Sequence, residues 1–325
     1  MANIKTTFAG LQINNPLIAA SSGLTADLDQ CIRLQDHGIG AIVLKSIFEV
    51  EIKLLSSSML SDNETGEGAD FLPAYIRGNK LNTYTDHICN LKAKLQVPII
   101  ASICCSHPGE WAKFAEVAET AGADAIELNV MSINTDKNYQ YGCYEQELID
   151  IYTSVKDLIK IPVTVKLANN FTNPVRAIKD LYSHGLRSTV LFNRHYRTDI
   201  DINNISPKAG DVFSNASDIC EPLRWTSICS AAIPQVEYTL SGGVLDGESV
   251  VKAILAGASA VQICTALYRK GATCIDEMTS FLHNWMETKG FANIDSFKGK
   301  LNAANCNDLN AYERTQFMAA VKDLH

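Results

Sequence analysis

The sequence lacks the patterns that mark several large classes of protein. It contains no run of lysine or arginine, its formal net charge is −8, and its isoelectric point is about 5.4. Binding to nucleic acid without sequence preference depends on clustered cations that release counterions from phosphates, so no nucleic-acid partner is expected. A small anion is not excluded, because backbone N–H groups and one or two cations can hold a phosphate locally.

Long apolar runs are also absent. No stretch approaches the roughly 18 apolar residues of a membrane span, and the opening residues, MANIKTTFAGLQINNP, lack the basic start and apolar centre of a signal peptide. The ten cysteines show neither a C-x-x-C ladder nor metal-ligand spacing, which favours buried, reduced thiols over zinc or iron–sulfur sites. These absences predict a cytoplasmic protein without a membrane partner or a bound metal.

Eight short apolar segments recur along the chain and are predicted to be strands. Most are continuous apolar runs, which are typical of strands buried on both faces of a parallel sheet. The predicted strands are Leu17–Ser21, Ala41–Ser46, Ile99–Ile103, Ala125–Val130, Val163–Leu167, Thr189–Asn193, Glu237–Gly242 and Ala260–Thr265.

Amphipathic segments between these strands are predicted to be helices. Several end at a glycine just before a strand, as at Gly122 and Gly257, because glycine readily adopts the left-handed conformation that closes a helix. The predicted helices are Ala26–His37, Pro108–Ala121, Glu145–Ile159, Pro174–His184, Gly247–Ala256 and Ile275–Lys289.

Alternating strands and helices predict an α/β protein, and eight repeats predict a single (β/α)8 TIM barrel over residues 1–325. The alternative is a doubly wound open sheet, but the G-x-G-x-x-G turn typical of its nucleotide-binding form is missing. Two long connections, Ile47–Asn82 and Arg194–Glu221, follow the second and sixth strands on the face where barrels build active sites. Residues 303–325 carry apolar side chains at helical spacing and are predicted to add a C-terminal helix.

Small residues lie at the ends of the last two predicted strands. Gly242 and Gly243 follow the seventh strand, while Thr265 and Ala266 close the eighth. In barrels the loops after these strands frequently bind a phosphate through backbone N–H groups, to which a threonine hydroxyl can add a donor. The alternative is that these segments are simply tight turns.

Amines and amides end four of the other predicted strands. Lys45 closes the second strand and Lys166 the fifth, while Asn129 and Asn193 lie near the ends of the fourth and sixth. A lysine on a buried apolar strand is costly without a partner. Each lysine is therefore predicted either to reach a bound anionic or electron-rich group, or to pair with a barrel carboxylate such as Glu127.

The order of several short segments resembles the dihydroorotate dehydrogenase family, its soluble class above all, over about residues 6–301. The segments that carry the resemblance are Asn15-Pro16, Ala20–Gly23, Val43–Ser46, Glu127–Asn129, Val165–Leu167, Ser241–Val244 and Gln262–Leu267. The resemblance implies a barrel that binds FMN. The residues that match its flavin-binding positions are Ser21, Ser22, Gly23, Lys45, Ser46, Asn129, Lys166, Asn193, Gly242, Gly243, Thr265 and Ala266.

The resemblance also implies oxidation of dihydroorotate to orotate, a step of pyrimidine biosynthesis. In that chemistry a base on a mobile loop takes a proton from C5, while a hydride passes from C6 to flavin N5. Ser132 falls on the base position, Lys45 is predicted to assist, and Asn134, Asn193 and Arg194 are predicted to contact the substrate. A serine acts as a base only with a proton relay behind it, so Ser132 is either the working base or an ordinary loop hydroxyl.

The substrate-binding segments depart from the family pattern. The catalytic loop of the family reads N-x-S-C-P-N or has serine for cysteine, whereas residues 129–134 read Asn-Val-Met-Ser-Ile-Asn. The family's asparagine-containing loop after the second strand is replaced by Phe71–Asn79, and Arg194–Asp201 carries unusually many charges. The latter segment is similar to that of a subgroup which keeps the flavin site and loses catalytic residues.

Three functions therefore remain open. The first is a dihydroorotate dehydrogenase that passes electrons to a soluble acceptor such as fumarate, since no membrane helix is predicted that would favour quinone. The second is an FMN oxidoreductase acting on another small polar substrate, recognised by Arg194, His195 and Arg197. The third is a flavin-binding paralogue without turnover of its own. The resemblance adds the expectation of a homodimer.

Overall fold

Eight parallel strands form a closed barrel in the computed structural model, which describes residues 2–48, 72–105, 108–195, 197–307 and 311–314. Each strand pairs with its neighbours in sequence, and the last pairs with the first, so the ring has no free edge. The predicted TIM barrel is confirmed and the open-sheet alternative is wrong. The barrel strands are β1 (Leu17–Ala19), β2 (Ala41–Val43), β3 (Ile99–Cys104), β4 (Ala125–Asn129), β5 (Val163–Leu167), β6 (Ser188–Leu191), β7 (Glu237–Ser241) and β8 (Ala260–Ile263).

A helix follows each barrel strand, and all six predicted helices are present with ends shifted by a few residues. The helices are α1 (Leu28–Asp36), α2 (Leu72–Lys94), α3 (Pro108–Thr120), α4 (Cys143–Lys156), α5 (Pro174–Ser183), α6 (Cys220–Ala232), α7 (Gly247–Leu255), α8 (Thr265–Lys270) and α9 (Thr273–Lys289). The sequence prediction missed α2, α6 and α8. The long α2 has polar residues distributed around much of its circumference, which leaves no clear amphipathic period to detect.

The two predicted long loops contain regular structure. The connection predicted over Ile47–Asn82 begins with a short strand, Ile47–Phe48, and its last part is the start of α2; residues 49–71 lie outside the described residues. The connection after β6 folds into an antiparallel hairpin, Thr198–Asp201 with Ser206–Ala209. In the predicted C-terminal helix, residues 303–307 and 311–314 contain turns instead, and the other positions of that helix lie outside the described residues.

The inside of the barrel is apolar at its N-terminal end and polar above it. An N-terminal hairpin, Thr6–Phe8 with Leu11–Ile13, closes that end, and Phe8 and Ile13 pack there against apolar barrel residues. Successive side chains of a strand point to opposite faces, so residues two apart share a face. Ser102 therefore follows Ile100 inward on β3, Glu127 follows Ala125 on β4, and Gln262 follows Ala260 on β8.

All ten cysteines are free of disulfides. Within the described ranges, no helix combines the length and apolar character needed to cross a bilayer. Nor does the described part of the chain contain a group of three or more histidine, cysteine or acidic side chains arranged to hold a metal ion.

Gly40 provides a test of how closely β1 and β2 pack. A Cβ atom at this position would lie 2.3 Å from the carbonyl oxygen of Asn15 and 2.9 Å from that of Leu17. We expect Gly40→Ala to lower the free energy of unfolding by about 1–3 kcal/mol, because the backbone must move to make room. Gly109→Ala is the control, since this exposed helical glycine has no heavy atom within 4 Å of the added Cβ; it should gain up to about 1 kcal/mol. Equal urea midpoints for both variants would contradict the close packing.

Candidate active site at the C-terminal end of the barrel

A cavity of about 410 Å³ lies among the C-terminal ends of β1, β5, β6, β7 and β8. This volume falls within the range of about 300–1,000 Å³ that is usual for sites of small molecules and cofactors. The fold brings together residues that are far apart in the chain. The predicted site residues that line the cavity are Ser21, Ser22, Gly23, Lys166, Asn193, Arg194, Gly242, Gly243 and Thr265.

Lys166 lies in the wall of this cavity and is 6% exposed. Its Nζ donates a hydrogen bond to Oε1 of Gln262 at 2.7 Å, and Nε2 of Gln262 donates to Oε2 of Glu127. Burial raises the pKa of Glu127, while the charge of Lys166 and the hydrogen bond from Gln262 act in the opposite direction. Lys166 therefore borders the cavity. It is also connected to Glu127, through the side-chain amide of Gln262.

The segments after β7 and β8 border the cavity on another side. Thr265 begins α8, and its Oγ1 accepts a hydrogen bond from the backbone N–H of Ser214 at 3.0 Å. Gly242 and Gly243 both have positive φ angles, 109° and 69°. A Cβ on Gly243 would lie 2.3 Å from the backbone nitrogen of Ile219, so the tight packing of this turn alone requires glycine there.

Serine hydroxyls join the ends of three strands beside the cavity. Ser46 follows β2 and is buried, and its Oγ lies 3.1 Å from Oγ of Ser21 and 2.7 Å from Oγ of Ser102. Tyr84 from α2 donates its hydroxyl to the Ser102 carbonyl at 3.1 Å, and burial raises the pKa of this tyrosine above its usual range. Ser46 does not line the 410 Å³ cavity. It contacts Ser21, which does line the cavity.

Asn129 and Asn193 contact each other at the top of the barrel. Nδ2 of Asn193 donates to Oδ1 of Asn129, and the backbone N–H of Asn193 donates to the carbonyl of Leu167 at 2.7 Å. Asn129 is buried and Asn193 half-buried. The two amides, predicted from separate strand ends, thus form one polar group.

Arg194 and Arg197 converge on Asp218. Nη1 of Arg194 lies 2.5 Å from Oδ2 of Asp218, and Nη2 of Arg197 lies 2.7 Å from Oδ1. Burial alone would raise the pKa of Asp218, but hydrogen bonds from both arginines outweigh it and lower the pKa below its ordinary value. Arg194 also donates to the carbonyls of Asp211 and Phe213, at 2.9 and 3.0 Å. The guanidinium of Arg194 therefore stabilises the loop after β6. The contact of Arg194 with a substrate stays a prediction.

A second cavity of about 290 Å³ lies beyond Asn193 and Arg194. Five residues line both cavities and form the wall between them: Phe192, Asn193, Arg194, Ser241 and Gly242. Its lining includes two arginines, a histidine and two carboxylates, which are Arg194, Arg197, His195, Asp218 and Glu221. Tyr196, which interrupts this segment, lies outside the described residues.

Lys45 does not occupy the position that the sequence predicted. Strand β2 ends at Val43, whereas the prediction extended it to Ser46. Lys45 is exposed, so the cost of burying a lysine is no argument for a ligand at this residue. After the strand, the backbone N–H of Ser46 donates to Oγ of Ser21 at 2.9 Å.

Ser132 and Asn134 are exposed on the connection between β4 and α4. The carbonyl of Ser132 accepts a hydrogen bond from Asn170 at 2.8 Å, and Oδ1 of Asn134 accepts one from the N–H of Asp136 at 2.9 Å. Neither residue lines the 410 or the 290 Å³ cavity. Among the described residues none hydrogen-bonds with the Ser132 hydroxyl, so this part of the chain provides it with no proton relay in this arrangement.

The sequence analysis missed several residues of the site. Gln262 could have been found, because it is a polar residue inside a buried apolar strand. Phe213 and Ser214 stand where the family has a second glycine-rich segment, and both line the cavity. Tyr268 had no comparable signal; its ring packs against that of Phe213 with centroids 5.5 Å apart. Ala266, which was predicted, is buried in the first turn of α8 beside the cavity lining.

Comparison with known proteins gives a consistent result. The family model described as dihydroorotate dehydrogenase matches residues 67–286. A Thermoplasma volcanium protein named dihydroorotate dehydrogenase B (NAD(+)), catalytic subunit, is 28% identical over 304 residues, which cover 92% of this chain and 98% of the relative. The relative of the same name from Methanosarcina acetivorans is 29% identical over 303 residues, covering 89% and 93%. That from Pyrococcus furiosus is 28% identical over 308 residues, covering 91% and 98%.

Asp218→Asn tests the clamp on the loop after β6. Removing the carboxylate should lower the free energy of unfolding by about 1–2 kcal/mol, since both arginines lose a charged acceptor that is only partly screened by solvent. Because folding lowers the pKa of Asp218, this stabilisation is complete above the unfolded pKa of about 3.9 and is lost as the pH falls through the folded pKa.

The difference in free energy of unfolding between wild type and Asp218→Asn should therefore be constant from about pH 5 to 7 and shrink below about pH 4. Asp211→Asn serves as the control, because Arg194 binds the backbone carbonyl of Asp211. Urea unfolding across this pH range checks both points. A difference that grows on acidification would refute the assignment.

Proposed function

This chain belongs to the dihydroorotate dehydrogenase family, and on that premise we propose that it is an FMN-dependent oxidoreductase which oxidises the CH–CH bond of dihydroorotate to give orotate. The observation that carries the proposal is the convergence of eight of the twelve predicted flavin residues on one cavity of about 410 Å³ at the C-terminal end of the barrel. The reaction would belong to pyrimidine biosynthesis.

The donors around the cavity suit FMN. Lys166 offers an ammonium group to the electron-rich edge of a flavin ring, and the turn of Gly242 and Gly243 with the Thr265 hydroxyl suits a phosphate. Ser21, Ser22 and Gly23 border the same space from β1. FMN, when bound, would supply the two-electron chemistry by accepting the hydride from C6 of the substrate.

The remaining polar groups are proposed to act on the substrate. The contacting amides of Asn129 and Asn193 offer donors and acceptors at the top of the barrel. Ser132 would take the C5 proton, and Asn134 would bind the substrate, once the connection between β4 and α4 has moved towards the cavity. Lys45, exposed just after β2, would assist the reaction as a cation.

The electron acceptor and the partners are proposed from the relatives. Their shared name includes NAD(+) and describes a catalytic subunit. We propose a soluble acceptor, with NAD+ to be tested before fumarate, and a further protein chain that takes part in electron transfer. A homodimer and a cytoplasmic location remain part of the proposal.

A second candidate function has one specific observation in its favour. The 290 Å³ cavity beside Asn193 is bordered by Arg194, Arg197, His195 and two carboxylates, which would suit a small polar substrate other than dihydroorotate. In that case the flavin residues keep their roles and the substrate changes.

The proposal predicts flavin binding and a substrate-dependent colour change. The purified protein should be yellow, or become so when FMN is added, and anaerobic dihydroorotate should bleach the flavin absorbance. A protein that stays colourless with added FMN would refute both candidate functions. A yellow protein that dihydroorotate leaves unbleached would refute the first and retain the second. Subsequent addition of NAD+ or fumarate, with and without a cell extract that supplies a partner chain, identifies the acceptor by the return of the absorbance.

Ser132→Ala tests the proposed base. Bleaching by dihydroorotate should slow by at least about 100-fold, because general-base catalysis contributes 10²–10⁴-fold, while the affinity for FMN should not change. Ser183→Ala, an exposed serine at the end of α5, is the matched control and should bleach at the wild-type rate. Stopped-flow absorbance measures both rates. An unchanged rate in Ser132→Ala would leave Ser132 as an ordinary loop hydroxyl.

A further inference from the structure

Glu127 is a fully buried carboxyl group inside the barrel that the proposed chemistry does not use. It is 0% exposed and lies on β4, one layer above the apolar closure of the barrel. Oε2 accepts the amide of Gln262, while Oε1 has no hydrogen-bond partner among the described residues. A buried carboxylate is unfavourable unless charged or polar groups compensate it, so the partners of Glu127 determine whether it can be accommodated.

Lys166, Gln262 and Glu127 form a series of hydrogen bonds in which every donor points the same way, from Lys166 towards Glu127. A lysine ammonium can only donate hydrogen bonds, and an ionised carboxylate can only accept them. Gln262 lies between them with one acceptor and two donors, so its oxygen must face Lys166 and its nitrogen must face Glu127. Glu127 and Lys166 therefore impose the same orientation on the amide, which is itself only 2% exposed.

This series of hydrogen-bonded side chains ends at the cavity. Lys166 and Gln262 both line it, whereas Glu127 lies behind them and is not among the lining residues. The Gln262 oxygen is the hydrogen-bond acceptor that the described part of the chain provides for the Lys166 ammonium. The direction of the ammonium thus depends on an amide whose other end is held by Glu127.

We propose that Glu127 is a positioning residue of the site, which acts through Gln262 to fix the Lys166 ammonium at the cavity wall. The role assigned to that ammonium rests on the proposed function, in which the cavity holds FMN. The positioning itself is a property of the protein without cofactor. It can therefore be tested separately.

The first test is competitive acetylation of the protein without added FMN. Trace acetic anhydride reacts with neutral amines, so the labelling of Lys166 relative to the other lysines, measured by peptide mass spectrometry, reports how strongly its charged form is held. Glu127→Leu removes the acceptor of the Gln262 amide and should increase the relative labelling of Lys166 at least about threefold, whereas Glu127→Gln, whose amide oxygen can still accept, should stay close to wild type.

Thr164→Val is the matched control. Thr164 is buried on the same strand as Lys166, and its hydroxyl bonds to Ser188 rather than to the chain of Glu127. It should cost stability without changing the labelling of Lys166. Unchanged labelling in Glu127→Leu, or an equal increase in Thr164→Val, would overturn the proposal. If Glu127→Leu fails to fold, Glu127→Met, which is closer in shape to glutamate and lacks a strong acceptor, decides the test by the same criterion.

The second test measures FMN binding by fluorescence quenching. Glu127→Gln can still accept from Gln262 through its amide oxygen, so its dissociation constant should remain within about twofold of wild type. Glu127→Leu cannot accept, and its dissociation constant should rise about tenfold, as expected for the loss of one charge-assisted contact. Equal affinity of wild type and Glu127→Leu would contradict the link from Glu127 to the cofactor. If even the wild type binds no FMN, the proposed function fails, while the labelling result still decides on the positioning role.

Discussion

Closure of eight parallel strands into a ring is the constraint on which the rest of the structure depends. It removes every strand edge, and it forces alternate side chains of each strand into a narrow interior. Near the N-terminal hairpin these inward positions carry apolar side chains such as Ile18, Ile100 and Val190, which pack without unsatisfied polar groups. One layer further along the strands the same alternation presents Glu127, Lys166 and Gln262. Polar groups can be tolerated there because they bond to one another, and Lys166 and Gln262 also border a cavity.

The site has two parts with different degrees of internal support. The residues around the larger cavity are held by hydrogen bonds among buried side chains, including the serine chain through Ser46 and the contact between Thr265 and Ser214. The segments assigned to the substrate are more exposed, and their polar groups mainly bond within their own loops, as Asn134 does. Under the proposed function, a firmly hydrogen-bonded cofactor region beside more exposed substrate loops is the arrangement expected when binding must be followed by loop movement.

Charge on the loop after β6 has a structural function as well as a chemical one. The sequence shows only that several arginines and acids occur close together. In the folded protein Asp218 accepts from both Arg194 and Arg197, and the carbonyls of Asp211 and Phe213 complete the contacts of Arg194. Residues chosen from the sequence as candidates for substrate recognition thus first determine the shape of the wall between the two cavities.

The sequence alone determined the barrel strands and most helices, because these depend on local periodicity. Short motifs in a fixed order also singled out strand-end residues that line the larger cavity, among them Lys166, Gly242 and Thr265. It could not reveal that Lys45 is exposed, that Ser132 lies outside both cavities, or that Gln262 joins Lys166 to Glu127. Those properties depend on where a strand leaves the ring and on which side chains face each other across it. Only tertiary structure decides them, since the contacts join residues as far apart as 127 and 262 and are fixed by closure of the barrel.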